Sequence, residues 1–567
     1  MIEFNHHLPA LQVVVPLLSA PLVMLLRPAG LAWAATTAAS VCAFAIAVAL
    51  TLGVLAGHEY SYQMGNWPAP YGIELGVDAF TALVLLVVTG ASTLALLAGR
   101  TSVDAEIEQP RQPLFYTAWL LALAGLVGMP VSADAFNIFV FMEISSLASY
   151  ILISGGADRR ALPAVFKYLV MGTIGATCYL IGIGLIYLMT GTLNLADMEL
   201  RIHEVADKRP TLVAAGFITV GLALKAAVFP LHVWLPNAYT YAPNAVTVFL
   251  AACATKVALY LLLRFDFFVF QPNLDGHAVQ FAYFLMPLAV LAILVGSGVA
   301  LFERNLKRLL AYSSVAQIGY ILLGASLVSL AGLGAGILHI FNHALAKGAL
   351  FLAVACLASR CAGVRFEDIA GVAQRMPWTM GAFVLAGLSL IGVPGTAGFI
   401  SKWYLISAAL GEGVIGGLLV AVIVVSSLMA VVYIWRVVET AYFGMDSAAA
   451  AGPGESAAGV ESATGVESAT GVESAAEFES AAKVESAAKV ESPAKVESNE
   501  NTNSSGAIKS IGKVDGAAGA AVPGEAPAML LAVTWAAALA NLYFGLQSYL
   551  PVALSSSAAE SLLRYVP

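Results

Sequence analysis

The sequence predicts an all-α polytopic membrane protein of about fourteen transmembrane helices. Three observations carry that prediction. The 567-residue chain is 60% hydrophobic and only 11% charged, where ordinary soluble domains carry about 25% charged residues. Its mean hydropathy is +0.85. Fourteen apolar runs can be marked off along it, each near the roughly 20 residues that cross a bilayer core.

The runs lie near 8–26, 31–55, 79–99, 114–132, 135–153, 162–190, 211–230, 243–264, 281–301, 311–330, 332–357, 380–408, 414–438 and 527–549. The first is long enough to stay as a helix, and no cleavable signal with a basic leading region is expected. Loops after odd-numbered runs hold Arg27, Arg100, Arg111, Arg159, Arg160, Arg304, Lys307, Arg308, Arg360, Arg365 and Arg375. Loops after even-numbered runs hold Arg201, Lys208, Arg209 and Arg264. Cytoplasmic loops collect Lys and Arg, so both termini are expected outside a bacterial-type inner membrane. The charge-alternating segment from Asn194 to Arg209 reads as a short surface helix.

Residues 445–526 are different material. Glu-Ser recurs there every six residues, from 455 to 497, in an Ala/Gly/Val/Lys background. Six residues advance a helix by about 240°, so the glutamates would wind around it and build no buried face. The stretch reads as a disordered cytoplasmic low-complexity insert. It also explains most of the formal charge of −8, because residues 447–526 hold twelve acids and five lysines. No nucleic-acid partner is implied. Five scattered cysteines (Cys42, Cys178, Cys253, Cys356 and Cys361) form no CxxC pair, so neither iron–sulfur ligands nor a disulfide framework is expected.

Ionisable residues well away from the ends of the apolar runs are few. They are Glu143 in the fifth, Lys225 in the seventh, Lys256 in the eighth, His339, His343 and Lys347 in the eleventh, and Lys402 in the twelfth. A lysine at mid-membrane costs roughly 2.5–3.5 kcal/mol on insertion scales, so it normally faces a partner or a wet cavity. The four-and-four spacing of His339, His343 and Lys347 stacks them on one helix face, about 6 Å apart along the axis. Three groups that each accept and release a proton in such a stripe read as a piece of proton wire. Glu143 and Lys225 invite pairing, either as a static ion pair or as a switch in which movement of the acid alters the lysine's proton affinity.

Two runs are broken, the seventh at Pro230 and the twelfth at Pro394-Gly395. They lie five runs apart and so cross the membrane in opposite senses. Paired interrupted helices point to inverted repeats with the working site at mid-membrane. Runs 4–8 and 9–13 would be the two five-helix repeats, with Lys225 and Lys402 as counterparts. The expected division is 1–113, a first repeat over 114–264, a second over 281–438, the insert over 445–526 and a terminal helix over 527–567.

The motifs FVFMEISSLASY around Glu143, FKYLVMG around Lys167, LKAAVFPLHVWLPNAY around Lys225, LKRLLAYSSVAQIGY, HIFNHALAKGALFL and GVPGTAGFISKWYL carry a resemblance. The chain resembles the antiporter-like family shared by membrane subunits of respiratory complex I (NADH:quinone oxidoreductase) and Mrp-type Na+/H+ antiporters. Residues 63–86 and Lys402 look most like the Mrp D subunit. Some complex I subunits have glutamate at the Lys402 position, so this lysine excludes those and leaves others open. The resemblance implies a fourteen-helix subunit in which Glu143 modulates Lys225, the first proton carrier. Lys256, His339, His343 and Lys347 would form the central relay and Lys402 the exit carrier. Lys167 would either feed the first channel or snorkel to the interface.

The function expected is a proton-translocating subunit of a multisubunit monovalent cation (Na+)/H+ antiporter, working with other membrane subunits. The alternative is a proton-pumping subunit of a NADH:quinone oxidoreductase or membrane-bound hydrogenase. No dinucleotide fingerprint, flavin motif or metal-ligand set is present, so no cofactor is expected and any redox chemistry would sit on partner chains. A self-sufficient solute carrier fits less well, because lysines and histidines in relay spacing do not make a substrate-shaped site.

Overall fold

The computed structural model describes residues 6–206, 208–270, 277–444 and 524–563. Residues 445–523 of the expected insert lie outside the described residues. Twelve helices among the described residues are long and apolar enough to cross a membrane, and the chain is a multi-pass membrane protein.

The first helices are α1 (Leu8–Leu25) and α2 (Ala29–Leu55). A small hairpin follows, β1 (Tyr60–Gln63) paired antiparallel with β2 (Glu74–Val77), Tyr60 opposite Val77 and Gln63 opposite Glu74. Sequence reading did not anticipate it, because eight strand residues among apolar helices leave no periodic signal. Next come α3 (Ala79–Glu106), α4 (Gln112–Val131), α5 (Ala135–Ser154) and α6 (Ala161–Thr190). Asp78 caps α3 by accepting from Thr81 N at 2.9 Å, and Asp134 caps α5 by accepting from Asn137 N at 2.7 Å. A capping carboxylate satisfies one amide that the first turn leaves without a partner. The expected surface helix is α7 (Leu195–Ile202), capped by Asn194, with Leu195, Met198 and Ile202 buried.

The seventh run is two helices. They are α8 (Arg209–Lys225) and α9 (Trp234–Tyr241). The expected break at Pro230 therefore begins four residues earlier, at Ala226. Proline's ring collides with the carbonyl of residue i−4, and for Pro230 that residue is Ala226. Lys225 is thus the last residue of a half-helix rather than a mid-helix residue. The chain continues through α10 (Asn244–Leu263), α11 (His277–Phe302), α12 (Leu306–Ser326) and α13 (Leu330–Ala358). The twelfth run is interrupted as expected, into α14 (Pro377–Ile391) and α15 (Ala397–Leu410). It is followed by α16 (Gly413–Phe443), and the single terminal helix expected over 527–567 is two, α17 (Ala528–Leu546) and α18 (Tyr549–Leu562).

Burial sorts these helices. Over their most apolar eighteen residues, α10, α12 and α13 are 94%, 94% and 89% buried, against 28% for α16. The helices bearing the central ionisable residues therefore form the middle of the bundle. Helices without a hydrophobic driving force between them associate through small residues that let backbones approach. At the α6–α8 crossing a Cβ added to Gly175 would sit 3.0 Å from Gly221 O. That crossing fixes Lys225 against α6.

Candidate functional site

The Lys225 cluster is built by three elements. With α8 ended at Lys225, the Leu224 carbonyl accepts a turn bond from Ala227 N at 3.2 Å and a second bond from Trp234 Nε1 at 3.0 Å. Lys225 Nζ donates to Ser146 Oγ at 2.7 Å and lies 3.8 Å from Glu143 Oε1. Glu143 and Ser146 are three residues apart and share a face of α5. A cavity of about 30 Å³ opens beside the ammonium, lined by Ser145, Ser149 and Tyr168 on one side and Ala254 and Ala258 on the other. A buried water needs about 10–15 Å³ and two or more polar partners, so one or two waters fit. Glu143 Oε1 and the Tyr150 hydroxyl make no hydrogen bond within the described residues. His232, inside the break, stacks on Phe229 at 5.2 Å.

The central cluster faces α13. Lys256 on α10 is fully buried, and its Nζ donates to the Ala251 carbonyl of its own helix. His339 is held at both ring nitrogens, Nδ1 by Ser401 Oγ at 2.8 Å and Nε2 by Gln317 Oε1 at 2.9 Å. His343 stacks on His339 with ring centroids 6.1 Å apart and planes 11° from parallel. Both of its ring nitrogens are buried without a hydrogen-bond partner among the described residues. Lys347 Nζ donates to Leu310 O at 2.7 Å and Ser313 Oγ at 2.5 Å. His339, His343 and Lys347 share one face of α13, and all three are buried, as is Lys256.

Lys402 completes the set from α15. Its Nζ donates to Ile391 O at 2.9 Å, Leu390 O at 3.2 Å and Ser427 Oγ at 3.1 Å. The first two are carbonyls left open where α14 stops, and the negative end of a helix favours a cation. The ammonium lies 4.9 Å from the Tyr320 ring, which in turn lies 5.6 Å from the His339 ring. A groove of about 260 Å³ borders it, lined by Gly392, Phe399, Trp403, Ser427 and Leu428. Gly392 turns the chain at φ +91°, and a Cβ there would come 2.9 Å from Lys402 Cδ. Gly392→Ala is therefore expected to cost about 1–3 kcal/mol in backbone strain and to push the lysine off its carbonyls. A thermal-shift assay together with transport should both fall.

The structure brings the expected residues into two groups. Glu143 with Lys225 is one; Lys256, His339, His343, Lys347 and Lys402 form the other. Ala254 and Ala258, which line the Lys225 cavity, stand two residues either side of Lys256, so the Lys256 side chain leaves α10 on the opposite face. The body of α10 separates the groups. Lys167 is exposed on α6 and does not line the Lys225 cavity. Pro230, Pro394 and Gly395 all fall within the two breaks. Gln317, Ser313, Tyr320, Ser401, Ser146 and Ser427 were not singled out from the sequence. Buried serines and a glutamine in apolar runs are the signal that marks them. No group of three or more His, Cys, Asp or Glu suited to a metal occurs among the described residues.

A family model described as "NADH:quinone oxidoreductase/Mrp antiporter, TM" matches residues 132–430, more than half of the chain. The chain belongs to this family. Among relatives, the N subunit of the NADH-quinone oxidoreductase of Desulforudis audaxviator (strain MP104C) is 43% identical over 446 residues, covering 77% of this chain and 86% of that one. The D subunit of the Na(+)/H(+) antiporter of Bacillus subtilis (strain 168) is 30% identical over 436 residues, covering 76% and 86%. The solved structure of the Mrp complex from Dietzia sp. DQ12-45-1b contains a chain 28% identical to this one, with a TM-score of 0.79 over 99% of this chain and 98% of that one. Both branches of the NADH:quinone oxidoreductase/Mrp antiporter family are thus represented. The match at 132–430 spans every ionisable residue of the two groups.

Proposed function

We propose that the chain is the proton-translocating membrane subunit of a multisubunit monovalent cation/H+ antiporter, exchanging Na+ for protons beside other membrane subunits. The observation that supports it is the chain of buried proton-carrying groups from Lys225 to Lys402, in which the four lysines and His339 hydrogen-bond to neutral partners and His343 stacks on His339. An ammonium bound to hydroxyls and carbonyls gives up its proton to a neighbour more readily than one locked to a carboxylate. Glu143, 3.8 Å from Lys225 and 27% exposed, is the modulating acid. Lys256, His339, His343 and Lys347 are the relay, and Lys402 is the exit carrier. Water in the Lys225 cavity and around α10 carries protons between the groups. Lys167 serves as a channel inlet only through water, given its exposure.

The reading extends to architecture. Spans 4–8 and 9–13 form two inverted repeats, with residues 1–113 before them, the insert 445–526 on the cytoplasmic side, and both termini outside a plasma membrane. The separate reading, a proton-pumping subunit of a redox complex, is favoured by the 43% identity to a NADH-quinone oxidoreductase subunit. Vesicles containing the intact assembly separate the two. The antiporter reading expects an imposed ΔpH to drive Na+ movement with no electron donor present. Proton uptake that needs NADH or another reductant, and is indifferent to Na+, would replace it with the second.

A further inference from the structure

The central helix α10 carries a second polar series that branches from the relay at Lys256. Lys256, Tyr260 and Arg264 follow at four-residue spacing, which stacks them along one helix face. The series runs from the middle of the bundle to the end that bears the β1–β2 hairpin. Arg264 heads a π-helical turn, Arg264–Phe270, a distortion frequently found at functional sites. Tyr260 is 2% exposed and Thr81 is fully buried. The Tyr260 hydroxyl donates to Pro130 O at 3.1 Å, lies 2.9 Å from Thr81 Oγ1, and accepts from Arg264 Nε at 3.3 Å. Arg264 then pairs with Asp78 Oδ2 at 2.7 Å. Beyond that pair is a cavity of about 270 Å³, lined by Glu59, Glu74, Asp78, Ser132, Arg264 and Ser561.

We propose that this series is a second proton path, from Lys256 through Tyr260 to the hairpin-side cavity, held shut by the Arg264–Asp78 pair. The inference rests on the proton-translocating reading above. A tyrosine hydroxyl passes a proton by accepting one at its oxygen while releasing its own, so no net charge stays behind. Arginine does not deprotonate in proteins, so Arg264 is no carrier. Its fixed positive charge repels an approaching proton, and Asp78 fixes it across the path. When the pair parts, cavity water reaches Tyr260. A purely structural role predicts otherwise, since a half-buried ion pair that only joins α3 to α10 would leave proton permeability unchanged when replaced by neutral groups.

Asp78→Asn combined with Arg264→Gln tests this, because Asn still caps α3 and Gln still offers a donor to Tyr260, with neither charge left alone. In vesicles bearing the full assembly, passive proton leak is expected to rise about tenfold, the effect of one charge removed from a narrow path of low dielectric. Adding Tyr260→Phe should return the leak to the parental level, and Arg264→Lys alone should stay tight. Should the double variant not assemble, Arg264→Gln alone reads the same leak, since it removes the blocking charge and leaves Asp78 facing the cavity. A parental leak in whichever variant assembles, or a leak that survives Tyr260→Phe, overturns the path. If Lys225→Ala abolishes exchange while these variants stay tight, only the second path falls. If Lys225→Ala leaves exchange intact, the reading beneath it falls.

Discussion

Vesicles carrying the assembly with Lys225→Ala are expected to lose ΔpH-driven cation exchange by at least about 100-fold, the scale of removing a positioned proton-transfer group. Lys225 has Ser146 at 2.7 Å and Glu143 at 3.8 Å, so its loss takes away both the carrier and the partner of the acid. Stranding a buried acid costs about 3–5 kcal/mol in a sealed site. Glu143 is 27% exposed, and water reaching it reduces that cost, so the assembly should survive. Lys225→Arg separates chemistry from architecture. A guanidinium keeps the charge and a donor for Ser146 but does not release its proton. It should be as inactive as alanine if the lysine carries protons, and close to normal if the pair only holds α5 to α8.

The second large effect is expected at Lys402. Its ammonium is fixed by two carbonyls where α14 stops and by Ser427. No carboxylate lies within ion-pair distance of it among the described residues. Lys402→Ala leaves Leu390 O and Ile391 O without that donor, a cost of about 1–3 kcal/mol if they stay dry. The adjoining groove of about 260 Å³ lets water take over, so stability should fall less than transport. Exchange is expected to drop by about 100-fold or more, with Lys402→Arg no better, measured as Na+-dependent ΔpH collapse at matched protein levels.

Much of this site was legible in the sequence because the membrane makes charge conspicuous. A lysine within an apolar run is costly wherever it points, so Lys225, Lys256, Lys347 and Lys402 could be found without knowing the fold. The breaks were legible for a similar reason, since Pro230 and Pro394 cannot continue a hydrogen-bonded helix. The onset of the first break was misplaced because proline acts on the carbonyl four residues before it, at Ala226. Three things were hidden. Side-chain direction on α10 was one: Lys256 faces α13 while Ala254 and Ala258 face Lys225, so a list of buried groups gave no sign of the intervening helix. The hydroxyl and amide partners were another, because Ser146, Ser401 and Gln317 are ordinary residues until placed 2.7–2.9 Å from a lysine or histidine. Arg264 and Asp78 were the third, since Arg264 at the end of its run read as a loop charge and Asp78, just ahead of the third run, was not singled out.

On the proposed function, protons cross this chain by a connected path from the Lys225 group past α10 to Lys402, and the Lys256–Tyr260 series is a closed branch of it. Lys225→Ala and Lys402→Ala made singly and together test it most directly, with proton flux and Na+ flux recorded on the same vesicles. Members of one path act as a unit, so the double variant should be no slower than the slower single variant. Losses that multiply, or a double variant in which one of the two fluxes persists, would show two independent paths and contradict the account.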